Sequence, residues 1–341
     1  MTAPATLAEL EDRLSEPSPA AIEALARYPG DVIVLGAGGK MGPSLAAMAR
    51  RAATAAGGTR RVIAVSRFSA PGAADLLAAR GVEVLRADLA EPASWPTLPD
   101  APNVIYMVGQ KFGTHDAPER TWHTNTAVAA FAAARYRRAR IVAFSTGNVY
   151  PLVPAPGPGS REVDPPAPLG EYAQSCLGRE RAFAYAATTW GTAVTLLRLN
   201  YAVDLRYGVL VDLALKVRDR QPIDLSMGWF NCLWQGDANA LALASLGDAA
   251  TPATVCNLTG PATCSVREVA TTLGAHLGTA PVFTGTEQPT ALLSDASAIL
   301  ARHGPPRVDE RTLIAWVAAW VARGGPTSGK PTHFEQREGR F

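Results

Sequence analysis

The sequence predicts an α/β chain: a Rossmann-type, doubly wound parallel sheet followed by a smaller C-terminal substrate lobe. Three observations predict it. Short apolar runs rich in β-branched residues alternate with alanine-rich helical stretches from residue 31 to residue 200. The first run passes directly into a glycine cluster that opens a helix. Of the 341 residues, 48% are hydrophobic and 18% charged, which supplies the apolar surface of a sizeable core.

The elements follow in order. Residues 1–29 form an N-terminal helical extension, with Ser18 and Pro19 starting its second helix. DVIVL (31–35) is apolar throughout, as a strand covered on both faces must be. A helix over 43–56, the strand RVIAVS (61–66), a glycine-closed helix in APGAADLLAARG and the strand VEVLRADL (82–89) come next. NVIYMVG (103–109), a long helix over 116–135, RIVAFST (140–146), a helix over 170–188 and TAVTLLRLN (192–200) continue the alternation. Parallel strands with short connections require right-handed crossovers, so residues 30–200 make the dinucleotide-binding domain. PLVPAPGPGSREVDPPAP (151–168) is too rich in proline and glycine for regular structure and reads as a loop, at a place where loops over active sites occur. The alternation then weakens. Residues 201–325 are expected to be mainly a substrate-binding lobe, built from 201–235 and 255–320, with a helix over 236–247 returning to the first domain. Residues 326–341 are polar and aperiodic and read as a surface tail.

Net charge is +2, which gives no electrostatic case for nucleic acid or an anionic membrane. No apolar run approaches the length of a membrane span, and the acidic, amphipathic N-terminus is unlike a signal peptide, so the expected location is the cytoplasm. Cys176, Cys232, Cys256 and Cys264 form no C-x-x-C pair, so no metal site is signalled and a reducing compartment suits them.

The candidate chemistry starts at Gly36, Gly38, Gly39 and Gly42, with Lys40 and Met41 between them. Glycines after a buried strand permit a sharp turn and let a pyrophosphate approach the backbone, and the helix N-terminus offers free N–H groups and a positive dipole end. The second strand ends in Ser66 and Arg67, where an acidic residue would hold an NAD ribose. Arg67 can instead clamp a 2′-phosphate, which favours NADP over NAD. Asp88 and Leu89 close the third strand near an adenine position, and Asp88 can alternatively cap the turn at Glu91–Pro92.

In this arrangement the chain resembles the extended short-chain dehydrogenase/reductases, the NAD(P)-dependent epimerase/dehydratase group, over roughly residues 30–320. Gly36, Gly39 and Gly42 match the family's glycine loop, Asp88 and Leu89 its D-L pair, and Val108 and Gly109 the turn under the nicotinamide. Asn125 matches its structural asparagine, and RLNY, with Arg198 and Asn200, its R-x-x-N. STGNVY (145–150) matches S-[ST]-x-x-V-Y, which puts the catalytic hydroxyl on Thr146, and YAQSC matches Y-x-x-x-K. The resemblance therefore implies Tyr172 as general acid/base, with Cys176 in the position of the lysine. A neutral thiol cannot lower the phenol's pKa as an ammonium does. Lys111, in the loop after the fourth strand, is the favoured substitute. Arg179 is the other nearby cation, two turns from Tyr172. Asn148, Asn200, His115 and Trp229 are candidate substrate contacts.

Three functions stay open: an NAD(P)-dependent oxidoreductase or epimerase acting on a small sugar-like or carbonyl substrate; a nucleotide-sugar epimerase or dehydratase with tightly held NAD; or a cofactor-binding module with impaired catalysis. The aromatic, cation-poor stretch 224–239 argues against a diphosphate partner and for a smaller substrate. Relatives of this kind often pair through the helices 116–135 and 170–188, which implies a homodimer.

Overall fold

The computed structural model describes residues 2–114 and 116–340. Seven parallel strands form the central sheet: β1 (Val32–Leu35), β2 (Val62–Ser66), β3 (Glu83–Arg86), β4 (Asn103–Tyr106), β5 (Arg140–Thr146), β6 (Ala193–Leu199) and β7 (Thr254–Leu258). Their spatial order is 3-2-1-4-5-6-7. The order reverses between β1 and β4, so the crevice at their carboxyl ends is where a doubly wound sheet binds its ligand. β1 is buried at all four positions, as its unbroken apolar sequence requires. The β7 segment, expected in the lobe, instead extends the sheet beside β6.

Helices cover both faces. α2 (Pro19–Arg27), α3 (Gly42–Ala55), α4 (Ala73–Ala79), α9 (Gln235–Ala244) and α11 (Ser297–His303) lie on one, and α6 (Val128–Arg135) and α7 (Gly170–Trp190) on the other. α9 is buried along its whole length, which is why 236–247 returns from the lobe. The lobe packs α8 (Val209–Arg218), α10 (Val266–Leu277) and α12 (Glu310–Ala322) into a second core, which also takes Leu10 and Leu14 of α1 (Leu7–Leu14). The N-terminal helices are thus structural parts of both cores.

The helix expected over 116–135 is not uniform. α5 (Pro118–Trp122) and α6 are joined by a π-helical segment, His123–Ala127. The 151–168 segment is mostly a loop, as expected, and it is anchored: Glu162 Oε1 and Ser160 O accept from Asn257 N and Nδ2 of β7. Val153–Pro154 pairs with Thr290–Ala291, and Ser160 bridges Ser294. The polar tail is the larger departure. Thr332 and Phe334 are buried, and the Arg337 guanidinium donates to Ser226 O and to Thr290 O and Oγ1. None of the described helices is long and apolar enough to cross a membrane.

Candidate active site

The glycine loop is shaped by close approaches. Gly36 has φ +87°, and a Cβ there would lie 2.8 Å from Val108 N at the end of β4. A Cβ on Gly42 would lie 2.5 Å from Ala37 O, and one on Gly38 2.5 Å from Ser66 Oγ. Gly39 meets only Gly36 O, at 3.4 Å, so its outer side stays open. No side chain caps α3, and among the described residues no acceptor meets the N–H groups of Lys40 and Met41. An open backbone face at an uncapped helix N-terminus fits an anionic pyrophosphate.

Two connected chambers extend from this loop. The outer one, about 830 Å³, is lined by Ser66, Arg67, Asp88, Leu89, Val108 and Gly109 among others. Arg67 is 72% exposed and lies 3.8 Å from the Asp88 carboxylate. Asp88 Oδ1 also accepts from Ala90 N at 3.0 Å, so it caps its turn and lines the chamber at once. The inner chamber, about 300 Å³, shares Gly36, Gly39, Gly109 and Lys111 with the outer one. It adds Lys40, Met41, Gly42, Thr146, Asn148, Tyr172, Arg179 and Asn200.

Tyr172 and Thr146 meet there. The phenol hydrogen-bonds the Thr146 hydroxyl and Cys176 Sγ. Thr146 Oγ1 accepts from Asn148 N at 3.2 Å and Nδ2 at 3.0 Å, which leaves its proton for Tyr172. Burial, reinforced by Cys176, holds the phenol above its usual range, while Thr146 and Arg179 act against that rise. Cys176 is fully buried beside Val149 and Tyr150, and burial pushes its thiol up as well. It is a neutral partner for Tyr172.

Arg179 is a cation that acts on Tyr172. Its guanidinium is buried and donates to Asn125 O at 3.2 Å, Asn125 Oδ1 at 2.8 Å and Phe144 O at 2.9 Å. Lys111 acts on Cys176 and donates to Thr332 O of the tail at 3.1 Å. Asn125 lies in the π segment. Its amide grips the backbone N–H and C=O of Gln110 at 2.8 and 3.0 Å, which fixes the turn after Gly109. It does not itself line either chamber.

Sequence reasoning missed two supports, Glu180 and Thr332. Glu180 accepts from Arg198 Nε and Nη2 and from Ser145 Oγ in a dry network. Arg198 Nη1 donates to Tyr150 Oη at 2.6 Å. This network ties α7 to β5 and β6 and so sets Tyr172 against Thr146. Arg179 was readable as a residue seven after Tyr172, on the same face. Thr332 had no signal at all. Trp229, expected at the substrate, packs instead in an apolar cluster with Met227 and Leu293 and lines neither chamber. Trp234 and Phe230 are core as well. His115 lies outside the described residues. Asn200 reaches the chamber wall and donates to Asn231 Oδ1 at 2.8 Å. Among the described residues no cluster suits a metal ion.

No family model matches the chain, and no curated protein does. Solved structures do. MoeE5 in complex with UDP-glucuronic acid and NAD is 20% identical, with a TM-score of 0.69 over 86% of this chain and 100% of its own. UDP-glucose 4-epimerase of Thermus thermophilus in complex with NAD is 19% identical, with a TM-score of 0.68 over 85% and 98%. UDP-glucuronic acid 4-epimerase of Bacillus cereus in complex with NAD is 14% identical, with a TM-score of 0.68 over 86% and 99%. The chain shares with these structures one Rossmann-type α/β fold.

Proposed function

We propose that this chain is a pyridine-nucleotide-dependent oxidoreductase or epimerase of the extended short-chain dehydrogenase/reductase type, acting on a small sugar-like or carbonyl substrate. One observation carries the reading: a hydrogen-bonded Thr146–Tyr172 pair at the inner end of a glycine-loop cleft. The glycine loop and the α3 N-terminus would hold the pyrophosphate, and the outer chamber the adenosine end. Ser66 and Arg67 support the 2′-phosphorylated cofactor, although Asp88 takes part of the Arg67 charge. The NAD in the similar structures supports the unphosphorylated form instead.

A nicotinamide held at the inner chamber beside Val108 and Gly109 would supply the hydride chemistry. Tyr172 gives or takes the matching proton at the substrate oxygen, steadied by Thr146 Oγ1. A phenol held above its usual range is a poor base and a competent neutral donor, so the residues support carbonyl reduction better than alcohol oxidation. Arg179 is the stronger candidate for the absent ammonium, because its charge acts on both Tyr172 and Cys176 and its buried guanidinium is held by three acceptors.

The UDP-sugars in the similar structures favour a second reading, nucleotide-sugar epimerisation. Turnover against UDP-glucose and against a panel of small ketones and sugar acids separates the two. In either case Tyr172→Phe should cut turnover by roughly 10²–10⁴-fold and leave cofactor affinity unchanged. Unchanged turnover would remove Tyr172 from the chemistry. We also propose a homodimer through α5–α6 and α7, whose exposed Trp122, Tyr185 and Trp190 suit a partner surface. Light scattering should then report about twice the 35.8 kDa chain mass, and a monomer mass would contradict it.

A further inference from the structure

Asn200 follows β6, and its backbone N–H donates to Leu258 O of β7 at 3.0 Å. It is 2% exposed and lines the inner chamber together with Thr146, Asn148 and Tyr172. A Cβ on Gly147, the residue after Thr146, would lie 3.1 Å from Asn200 Cβ, so Asn200 packs against the end of β5. What its amide shows to the chamber is decided behind it. Asn231 lies between the short strands Trp229–Phe230 and Leu233–Trp234, is 2% exposed and lines neither chamber. Its Nδ2 donates to Ser294 O at 2.5 Å, and a carbonyl can only accept. Asn231 Oδ1 is thereby left to accept, from Ser294 N at 3.5 Å and from Asn200. Asn200 must present a donor, and its Nδ2 reaches Asn231 Oδ1 at 2.8 Å and Leu292 O at 3.4 Å.

Both hydrogens of that amide nitrogen are engaged by the protein, so only Oδ1 is left for a ligand. None of the described residues donates to it, and it is not sealed off as the nearby Ser294 hydroxyl is. An oxygen of this kind takes an O–H or N–H and repels another acceptor. We propose that Asn231 positions the Asn200 amide to accept a hydrogen bond from a substrate hydroxyl beside the reacting carbonyl. Asn231 is a positioning residue, since it touches Asn200 and not the chamber. The proposal rests on the oxidoreductase reading and narrows its substrate class to a compact hydroxy-ketone or hydroxy-aldehyde. At about 300 Å³ the chamber is at the low end for small-molecule sites, and the nicotinamide end of the cofactor would share it, which keeps the substrate small.

Calorimetry with two ketones tests this. Hydroxyacetone carries an O–H beside its carbonyl, and methoxyacetone carries a methyl ether there, which only accepts. Each is titrated into the full chain saturated with NADP, the oxidised cofactor, which cannot reduce them. Wild type should bind hydroxyacetone roughly tenfold more tightly than methoxyacetone. In Asn231→Leu the Asn200 amide is free to turn its Nδ2 outward, so the two affinities should come within about twofold of each other. The bulk of the added methyl is the same for both proteins, so the change in ratio reports the amide's orientation. NADP affinity in Asn231→Leu should stay within about twofold of wild type, which shows that the variant has folded. Asn200→Leu, which removes the acceptor itself, is the second variant and should also lose the preference. If wild type binds no NADP, the oxidoreductase reading fails, and the same titrations into cofactor-free protein still decide the role of the amide. Equal affinity for the two ketones in wild type, no heat with hydroxyacetone, or a preference that survives in Asn231→Leu would overturn the proposal.

Discussion

Cys176 is the residue where sequence and chemistry pull apart. The four-residue spacing from Tyr172 made their shared helix face legible, and they do meet. What replaces the lysine was not legible, because charge on a phenol depends on distances through space. Arg179 was ranked behind Lys111 because it lies two turns from Tyr172, whereas Lys111 sits in the loop after the fourth strand. Its guanidinium nevertheless reaches Tyr172, because three acceptors from the π segment and β5 hold it inward. Lys111 carries a pH prediction. Burial lowers it to about 8, with Asp212, Cys176 and Glu335 opposing the fall. Its charge is present below that pH and lost above it, while the unfolded chain keeps the proton up to the usual lysine range, so its contribution to stability rises from about pH 7 to about pH 9. Denaturant unfolding of wild type and Lys111→Met at the two pH values should show that rise in wild type alone, and an equal change in both would contradict it.

Among the elements, the strands and the glycine loop were legible because their signals are local. An unbroken apolar run marks a strand buried on both faces, and β5 occupies the residues expected of it. The π segment in the long helix was not legible. It arises because Asn125 reaches out to the Gln110 backbone while Thr126 donates to Ser175 O. The tail was opaque for a related reason. Its anchors are made to residues 120 and 221 positions away, and no periodicity announces them. Helix α7 carries a stability prediction. Arg198 and Glu180 are only 5% and 2% exposed and form a bidentate pair. Glu180→Gln leaves the buried guanidinium without its charge partner and should cost roughly 3–5 kcal/mol in denaturant unfolding. A loss below about 1 kcal/mol would show that the network positions α7 without stabilising it.

At the scale of the molecule, the doubly wound parallel sheet with helices on both faces agrees between sequence and structure. The boundaries do not. α1 belongs to the lobe core, β7 to the sheet, and the tail to the wall of the active-site cleft. Each of these joins parts of the chain that lie far apart in sequence, and burial rather than local pattern decides them. The result is a cleft that runs along the glycine loop, with Thr332 of the tail in its lining. The most direct test of the whole account is calorimetric titration of the wild-type chain with NADP and NAD. Both should bind, NADP roughly tenfold more tightly, and Arg67→Ala should erase that difference while NAD affinity is kept. Absence of heat with either nucleotide would contradict the account at its root.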